Sequence, residues 1–272
     1  MTPAVRAQEE DVSASRGLNP LLRLRLAFGF FSVLPLGKTA PLQEVAAAAT
    51  MLPLVGVVLG GLEGAAGWGA LKLFGPLVAA AVVLALALLL SGMHHADGLA
   101  DVGDAIMVHG DASRRIAVLK DRTLGVGASG ALIITYLLSW SALGQLASLR
   151  GGLMLVFFMM ASEVCARLGL IFTAAANQPS HPGSGSEFVK ALKGGKAAAA
   201  IAAAVLLLAL LVWPIGAAVA AAAVAAAFLT ALLLTVISRK LFGGVGGDVL
   251  GASVELARMA ALLAMLAAVR PG

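Results

Sequence analysis

Apolar residues run along this chain in long, nearly unbroken stretches, and the polar residues are gathered into short segments between them. A membrane-spanning helix needs roughly 20 predominantly apolar residues, whereas a run of about 10–14 is more often a core helix of a soluble domain. The stretches Ala128–Leu149, Gly151–Ala176, Ala197–Ile237 and Val249–Val269 exceed what a soluble fold uses. The pattern predicts spans over Val45–Leu71, Pro76–Leu90, Ala128–Leu149, Gly151–Ala176, Ala197–Trp213, Ile215–Ile237 and Val249–Val269. Pro76–Leu90 is short for a span, and its helix is expected to continue into the polar stretch behind it. Leu21–Leu36 is interrupted by Arg23 and Arg25, which suits an interfacial or re-entrant helix. The fold class is therefore all-α: a polytopic integral membrane protein with about seven transmembrane helices and an N-terminal interfacial or re-entrant one. Residues 1–19 read as a polar, disordered tail, and 20–272 as a single transmembrane catalytic domain without internal repeats.

Composition agrees. Hydrophobic residues make up 60% of the chain, charged residues 12%, and the mean hydropathy is +0.98. That is about half the charge of a soluble domain. Glu9, Glu10 and Asp11 stand where a cleaved signal would carry basic residues. The single cysteine, Cys165, lies in an apolar run, so it reads as a small buried residue and no disulfide framework can form within the chain. The net charge of +5 is spread over loops with few aromatics beside it, which favours a membrane-surface bias and argues against nucleic acid.

Threading the spans alternately places 14 of the 19 basic residues on the side that carries Ser91–Gly127. They are Arg6, Arg16, Arg23, Arg25, Lys38, Arg114, Arg115, Lys120, Arg122, Lys190, Lys193, Lys196, Arg239 and Lys240. The opposite side holds Lys72, Arg150 and Arg270, and the positive-inside rule then turns the polar stretch toward the cytoplasm of a cell membrane.

That stretch holds five of the seven aspartates and three of the four histidines between His94 and Asp121. In a helix, Asp97, Asp101 and Asp104 fall at i, i+4 and i+7, on one face. Three carboxylates on one face repel one another unless a cation sits among them. An all-oxygen donor set suits Mg²⁺, which keeps several waters and binds substrate phosphates too. The spacing suggests a metal-bridged diphosphate or triphosphate site; a solvated acidic face at a helix end is the plainer alternative. Adjacent His94 and His95 cannot both face the acids, and regular spacing favours His94, three residues before Asp97. Arg114, Arg115, Lys120 and Arg122 follow, suited either to phosphate oxygens or simply to positive-inside charge. On the same side, Arg239-Lys240-Leu241-Phe242-Gly243-Gly244-Val245-Gly246-Gly247-Asp248 is a glycine-rich turn whose backbone can approach an anion, though it is no Walker motif. Asp248, at the mouth of the last span, is expected to have a partner.

These residues resemble the cobalamin synthase family, the adenosylcobinamide-GDP ribazoletransferases. The family's His-x-Asp-Gly-Leu-Ala-Asp-x-x-Asp run is matched from His95 to Asp104. Its basic segment ending in Asp-x-x-x-Gly is matched by Arg114, Arg115, Lys120, Asp121 and Gly125, and its Gly-Gly-x-x-Gly-Asp-x-Leu-Gly-Ala by the stretch from Gly243 and Gly244 through Gly247 and Asp248 to Ala252. Phe31 to Pro35 is similar to the family's opening, and Pro53-Leu54-Val55-Gly56 with Gly60 to its first full span. The chain departs from the pattern at Gly92-Met93-His94 and at Ala105. The resemblance selects His95 over His94. It implies condensation of adenosylcobinamide-GDP with α-ribazole or its 5′-phosphate, giving adenosylcobalamin or its phosphate and GMP. Mg²⁺ on Asp97, Asp101 and Asp104 would bridge the pyrophosphate, an aspartate or His95 would take the proton of the attacking ribose hydroxyl, and Arg115, Lys120 and Arg122 would offset charge. Asp121, Gly244, Gly247 and Asp248 would complete the phosphate-binding set. The lipid bilayer is the surrounding partner, and a homo-oligomer is left open.

Two other readings compete. Another membrane phosphoryl or prenyl transferase would also use spaced aspartates, but the lipid CDP-alcohol phosphotransferases need Asp-Gly-x-x-Ala-Arg, and here Gly98 leads to Leu99-Ala100-Asp101. A transporter would carry its ionisable residues near mid-membrane. In this chain Glu63, Glu163, Arg167, Glu255 and Arg258 are the ones within spans, and Glu163 with Arg167 has the spacing of a structural ion pair.

Overall fold

A computed structural model describes residues 19–36, 40–121 and 123–270. The tail over residues 1–18, Lys38 and Arg122 lie outside the described residues. The first helix, α1 (Pro20–Phe31), starts where the Asn19 side chain accepts the N–H of Leu21 at 2.8 Å and Pro20 presets the first turn. A short α2 (Leu42–Ala47) runs through a 3₁₀ turn (Ala48–Met51) into α3 (Leu52–Phe74), the first span. Gly75, at φ 83°, reverses the chain into α4 (Pro76–Leu90), whose first residue is again proline.

The expected continuation of α4 does not occur. Gly92 N–H donates to Leu89 O at 3.1 Å and Met93 N–H to Leu88 O at 3.0 Å, the paired bonds of a Schellman cap with glycine at the left-handed position. Met93 itself has φ 61°, a conformation few non-glycine residues adopt. The chain then turns by 92° into α5 (His94–Met107), the helix of the aspartate motif.

After α6 (Ala112–Leu119) come α7 (Val126–Arg150), α8 (Met154–Ala176), a short α9 (Ser184–Ala191), α10 (Gly194–Ile215), α11 (Ala217–Phe242) and α12 (Gly247–Val269). Six of the described helices are long and apolar enough to cross a bilayer, and α4 with α5 makes a seventh, broken candidate. α8 is the most enclosed span. α3 lies directly on it, because Gly56, Gly60 and Gly64 form a flat stripe: a Cβ added there would meet the backbone of Glu163, Met159 and Val156 at 2.9, 2.5 and 2.5 Å. Close approach through small residues is how membrane helices gain packing where lipid removes the hydrophobic drive. α5 lies across the starts of α7 and α12, where Gly98 meets the Asp248 backbone and Gly103 that of Gly127. The motif is thus a platform at one end of the bundle.

Candidate functional site

Helix α5 is continuous through Gly98 and Gly103, so Asp97, Asp101 and Asp104 lie one above another on one face. Asp97 is exposed and Asp101 half-buried. Burial, followed by the charges of Asp97, Asp248 and Asp104, pushes the Asp101 carboxyl up to about 7. These carboxylates are therefore crowded, and no ion pair relieves Asp97 or Asp101 among the described residues. Nor does any group of three His, Cys, Asp or Glu side chains there stand ready as a metal cage. Mg²⁺ needs less than that, since one or two carboxylates plus substrate oxygens commonly hold it. Asp97 and Asp101, one turn apart and acceptor-only when ionised, fit that demand.

Asp104 has a further task. Its Oδ2 accepts the N–H of Gly125 at 2.7 Å and its Oδ1 that of Ala128 at 2.9 Å, so it caps the start of α7 from a neighbouring helix. Gly125 makes the contact feasible, because a Cβ there would sit 2.4 Å from Asp104 Oδ1. Arg115 likewise closes a helix end: one guanidinium nitrogen donates to Ala105 O at 2.9 Å and Ile106 O at 3.1 Å, at the C-terminus of α5. Asp121 accepts the N–H of Thr123 at 3.0 Å. Asp111, which its place beyond Gly110 suggests is a solvated turn residue, is the N-cap of α6, accepting Arg114 N–H at 3.0 Å and the Ser113 hydroxyl at 2.8 Å. Lys120 is exposed at the end of α6, and its charge acts on Asp248 and on His181.

The glycine-rich turn crosses a second loop that sequence reasoning passes over, from Asn177 to Gly183. Val245 N–H donates to Gln178 O at 2.9 Å and Ser180 N–H to Val245 O at 3.1 Å. Gly244 packs on that backbone, and Gly185 approaches Gly247 so closely that a Cβ on it would lie 2.1 Å from Gly247 N. Arg239, at the head of the glycine-rich element, is turned away from the acids: its Nε donates to Asn177 Oδ1 at 3.0 Å and it also reaches Ala176 O. With Lys193, which donates to Ala175 O at 2.9 Å, it neutralises the C-terminal end of α8. His181, the one histidine outside the stretch from His94 to Asp121, marks this loop in the sequence; burial and then Lys120 lower its pKa.

The two motif histidines diverge. His94 is exposed, while His95 is buried with its ring stacked on Phe31 at 6.3 Å between centroids. Burial, then the charges of Arg167, Arg258 and His94, hold His95 well below the usual imidazole range, so it is neutral near pH 7. Its Nδ1 has no hydrogen-bond partner among the described residues. Beside it lies a cavity of about 420 Å³ bordered also by Phe30, Phe188, Ser184 and Asp248.

The cobalamin-5-phosphate synthase family matches residues 23–266, nearly the whole chain and every element just described. The chain belongs to that family. An adenosylcobinamide-GDP ribazoletransferase of Halorubrum lacusprofundi is 39% identical over 253 residues, covering 89% of this chain and 95% of the relative. One from Bradyrhizobium diazoefficiens is 30% identical over 249 residues, covering 90% and 93%. No solved structure matches.

The ionisable residues within the spans of this family member form a separate cluster. Glu163 pairs with Arg167 at 2.9 Å, as their spacing predicts, and also with Arg258 of α12. Arg258 reaches Glu255 at 2.6 Å, and the Tyr136 hydroxyl of α7 donates to Glu255 at 3.0 Å. All four charged groups are at most 2% exposed, and they join α7, α8 and α12.

Proposed function

We propose that this chain is an adenosylcobinamide-GDP ribazoletransferase of a cell membrane, with the α5 platform as its active site and facing the cytoplasm. The observation that carries the site is the crowding of Asp97, Asp101 and Asp248 where α5 crosses the mouth of α12, beside a cavity and opposite Lys120. Carboxylates left uncompensated by the protein are suited to a substrate that brings phosphates and a cation. Orientation rests on the basic residues gathered on the platform side.

In the reaction, a ribose hydroxyl of α-ribazole or its 5′-phosphate attacks the phosphorus that carries the cobinamide. A new P–O bond forms there, the anhydride bond to GMP breaks, and the hydroxyl proton passes to an α5 aspartate or to neutral His95. Asp97 and Asp101 would hold Mg²⁺, with Asp104 able to contribute its remaining lone pairs. Bound Mg²⁺ would supply charge neutralisation across the diphosphate. Lys120 offsets negative charge from the other side, and Asp248 with the glycine-rich turn fixes the position of the phosphates. Most of the rate enhancement in such a transfer comes from orientation and electrostatics.

The test is product analysis with purified protein in detergent or vesicles, adenosylcobinamide-GDP, α-ribazole and Mg²⁺. GMP and a complete corrinoid should appear in equal amounts, stop in excess EDTA and resume on adding Mg²⁺. Full turnover in EDTA would remove the metal from the proposal, and uptake of corrinoid into vesicles without chemical change would replace the transferase with a transporter.

A further inference from the structure

The platform side holds three phenyl rings, two of them in the apolar core, that the phosphate chemistry does not require. Phe30 and Phe31, at the end of α1, meet Phe188 of α9 with centroids 5.0 and 5.4 Å away, and Phe30 and Phe31 lie 5.0 Å apart. His95 stacks on the far side of Phe31. The rings come from three helices separated by more than 60 residues each in sequence and still line one cavity. Phe31 and Phe188 are 6% and 4% exposed, whereas Phe30, which also lines the cavity, is 39% exposed. Offset and edge-on ring arrangements at these distances are the ones aromatic groups prefer, and a further flat ring can join them.

The cavity's polar groups are few and specific. Ser91, His94, His95, Ser184 and Asp248 border it, and the buried His95 Nδ1 has its hydrogen-bonding capacity unused among the described residues. A buried polar atom without a partner costs free energy unless a ligand or water meets it. At about 420 Å³ the cavity lies at the small end of the range for small-molecule pockets. It has room for a nucleoside and none for a corrinoid ring system.

We infer that this cavity is the subsite for the nucleoside that attacks: the flat bicyclic base of α-ribazole sits against the wall formed by Phe30, Phe31 and Phe188, and its ribose meets His95 and Asp248. The assignment rests on the transferase reading and adds to it which half of the reaction these residues serve. The other flat bases among the substrates, the guanine and the adenine of adenosylcobinamide-GDP, each carry an edge of donors and acceptors. The three phenyl rings offer such an edge no hydrogen bond, and the polar groups bordering the cavity are assigned here to the ribose, whereas a benzimidazole, mostly apolar, loses little by entering. An aromatic wall of this kind also selects by shape and stacking, so it sets which nucleoside the enzyme accepts.

The decisive variant is Phe30→Ala, because a ring 39% exposed can be removed without opening the bundle core. Losing one base-stacking contact should raise the KM for α-ribazole roughly tenfold and leave the KM for adenosylcobinamide-GDP unchanged. Phe30→Trp, which keeps an aromatic face, should stay close to the parent. Phe188→Ala, checked for a monodisperse detergent profile, should act in the same direction. A rise in the KM for adenosylcobinamide-GDP alone would give the cavity to guanosine and overturn the inference, as would unchanged constants for both substrates. Equilibrium dialysis of radiolabelled α-ribazole against the detergent-purified protein separates this from the function itself. If the wild type releases no GMP yet binds α-ribazole in a Phe30-dependent way, the transferase reading fails and the subsite stands. If it turns over but binding is indifferent to Phe30, the subsite fails alone.

Discussion

Glu163 and Glu255 inside the bundle, and Asp97 and Asp101 at its end, are all carboxylates with other carboxylates nearby, yet only the first two have their charge answered by the protein. Glu163 is shared by Arg167 and Arg258, and Glu255 takes Arg258 and the Tyr136 hydroxyl. Those two acids and two bases balance. At bilayer depth they must, because an unpaired charge in a low-dielectric interior costs several kcal/mol. On α5, by contrast, the neighbours of Asp101 are Asp97, Asp248 and Asp104, and they raise its pKa rather than lower it. Water reaches this end of the bundle, so the acids can remain crowded until cation and substrate arrive. Charge that is balanced internally holds helices together, and charge left unbalanced at an accessible surface is where the proposed chemistry would be done.

Four measurements bear on that contrast. Asp97→Asn and Asp101→Asn should each lower the rate of GMP release by roughly a thousandfold while the protein stays inserted and monodisperse, since an amide is a poorer Mg²⁺ ligand than a carboxylate. Near wild-type rates would show that the acid face is only a solvated surface. Next, Glu163→Gln should lower stability by about 3–5 kcal/mol in a detergent thermal melt, because it strands two buried guanidinium groups. Glu63→Gln sharpens this: Glu63 is 1% exposed and lies in the field of the same four groups, yet it makes no salt bridge among the described residues. Neutralising it strands no guanidinium group, so it should lower stability by about 1 kcal/mol or less. If the two glutamates behave alike, the charge count is the wrong account of the cluster.

The third measurement uses pH. Asp101 must lose its proton to bind a cation, and its carboxyl titrates at about 7 without one. Mg²⁺ affinity, followed calorimetrically, should therefore weaken by up to about tenfold per unit as pH falls below 7, and level off above about 8. A flat affinity between pH 6 and 8 would take Asp101 out of the metal site. The smallest effect is expected at the caps. Asp104→Ala should cost about 1 kcal/mol through the start of α7, and Asp111→Asn nothing measurable, since asparagine caps as well as aspartate. If Asp104→Asn instead loses as much activity as Asp101→Asn, Asp104 belongs to the chemistry as well as to the fold.

Helix packing explains which readings of the chain were available early. The i, i+4, i+7 series on α5 follows from helical period alone, and the Glu163–Arg167 pair from one helical turn. Which of His94 and His95 is buried does not, because it depends on Phe31 lying over His95 from a helix more than 60 residues earlier. Arg115 and Asp111 look like phosphate ligand and loose turn in sequence. Both prove to be occupied at helix ends, where unpaired backbone groups compete for any side chain in reach. The break after α4 is not legible in the sequence either, since a left-handed cap at Gly92 shows itself only once the next residues commit to another direction.

The sequence by itself determined the class of protein, the spans within a few residues, the acidic face and the family, because run length, helical period and spaced motifs are local properties. Only the tertiary structure decided that Asp104 caps α7, that the glycine-rich turn lies on the loop around His181, and that three phenylalanines line one cavity. Each of those depends on contacts between segments far apart in the chain, and such contacts are set by how whole helices cross.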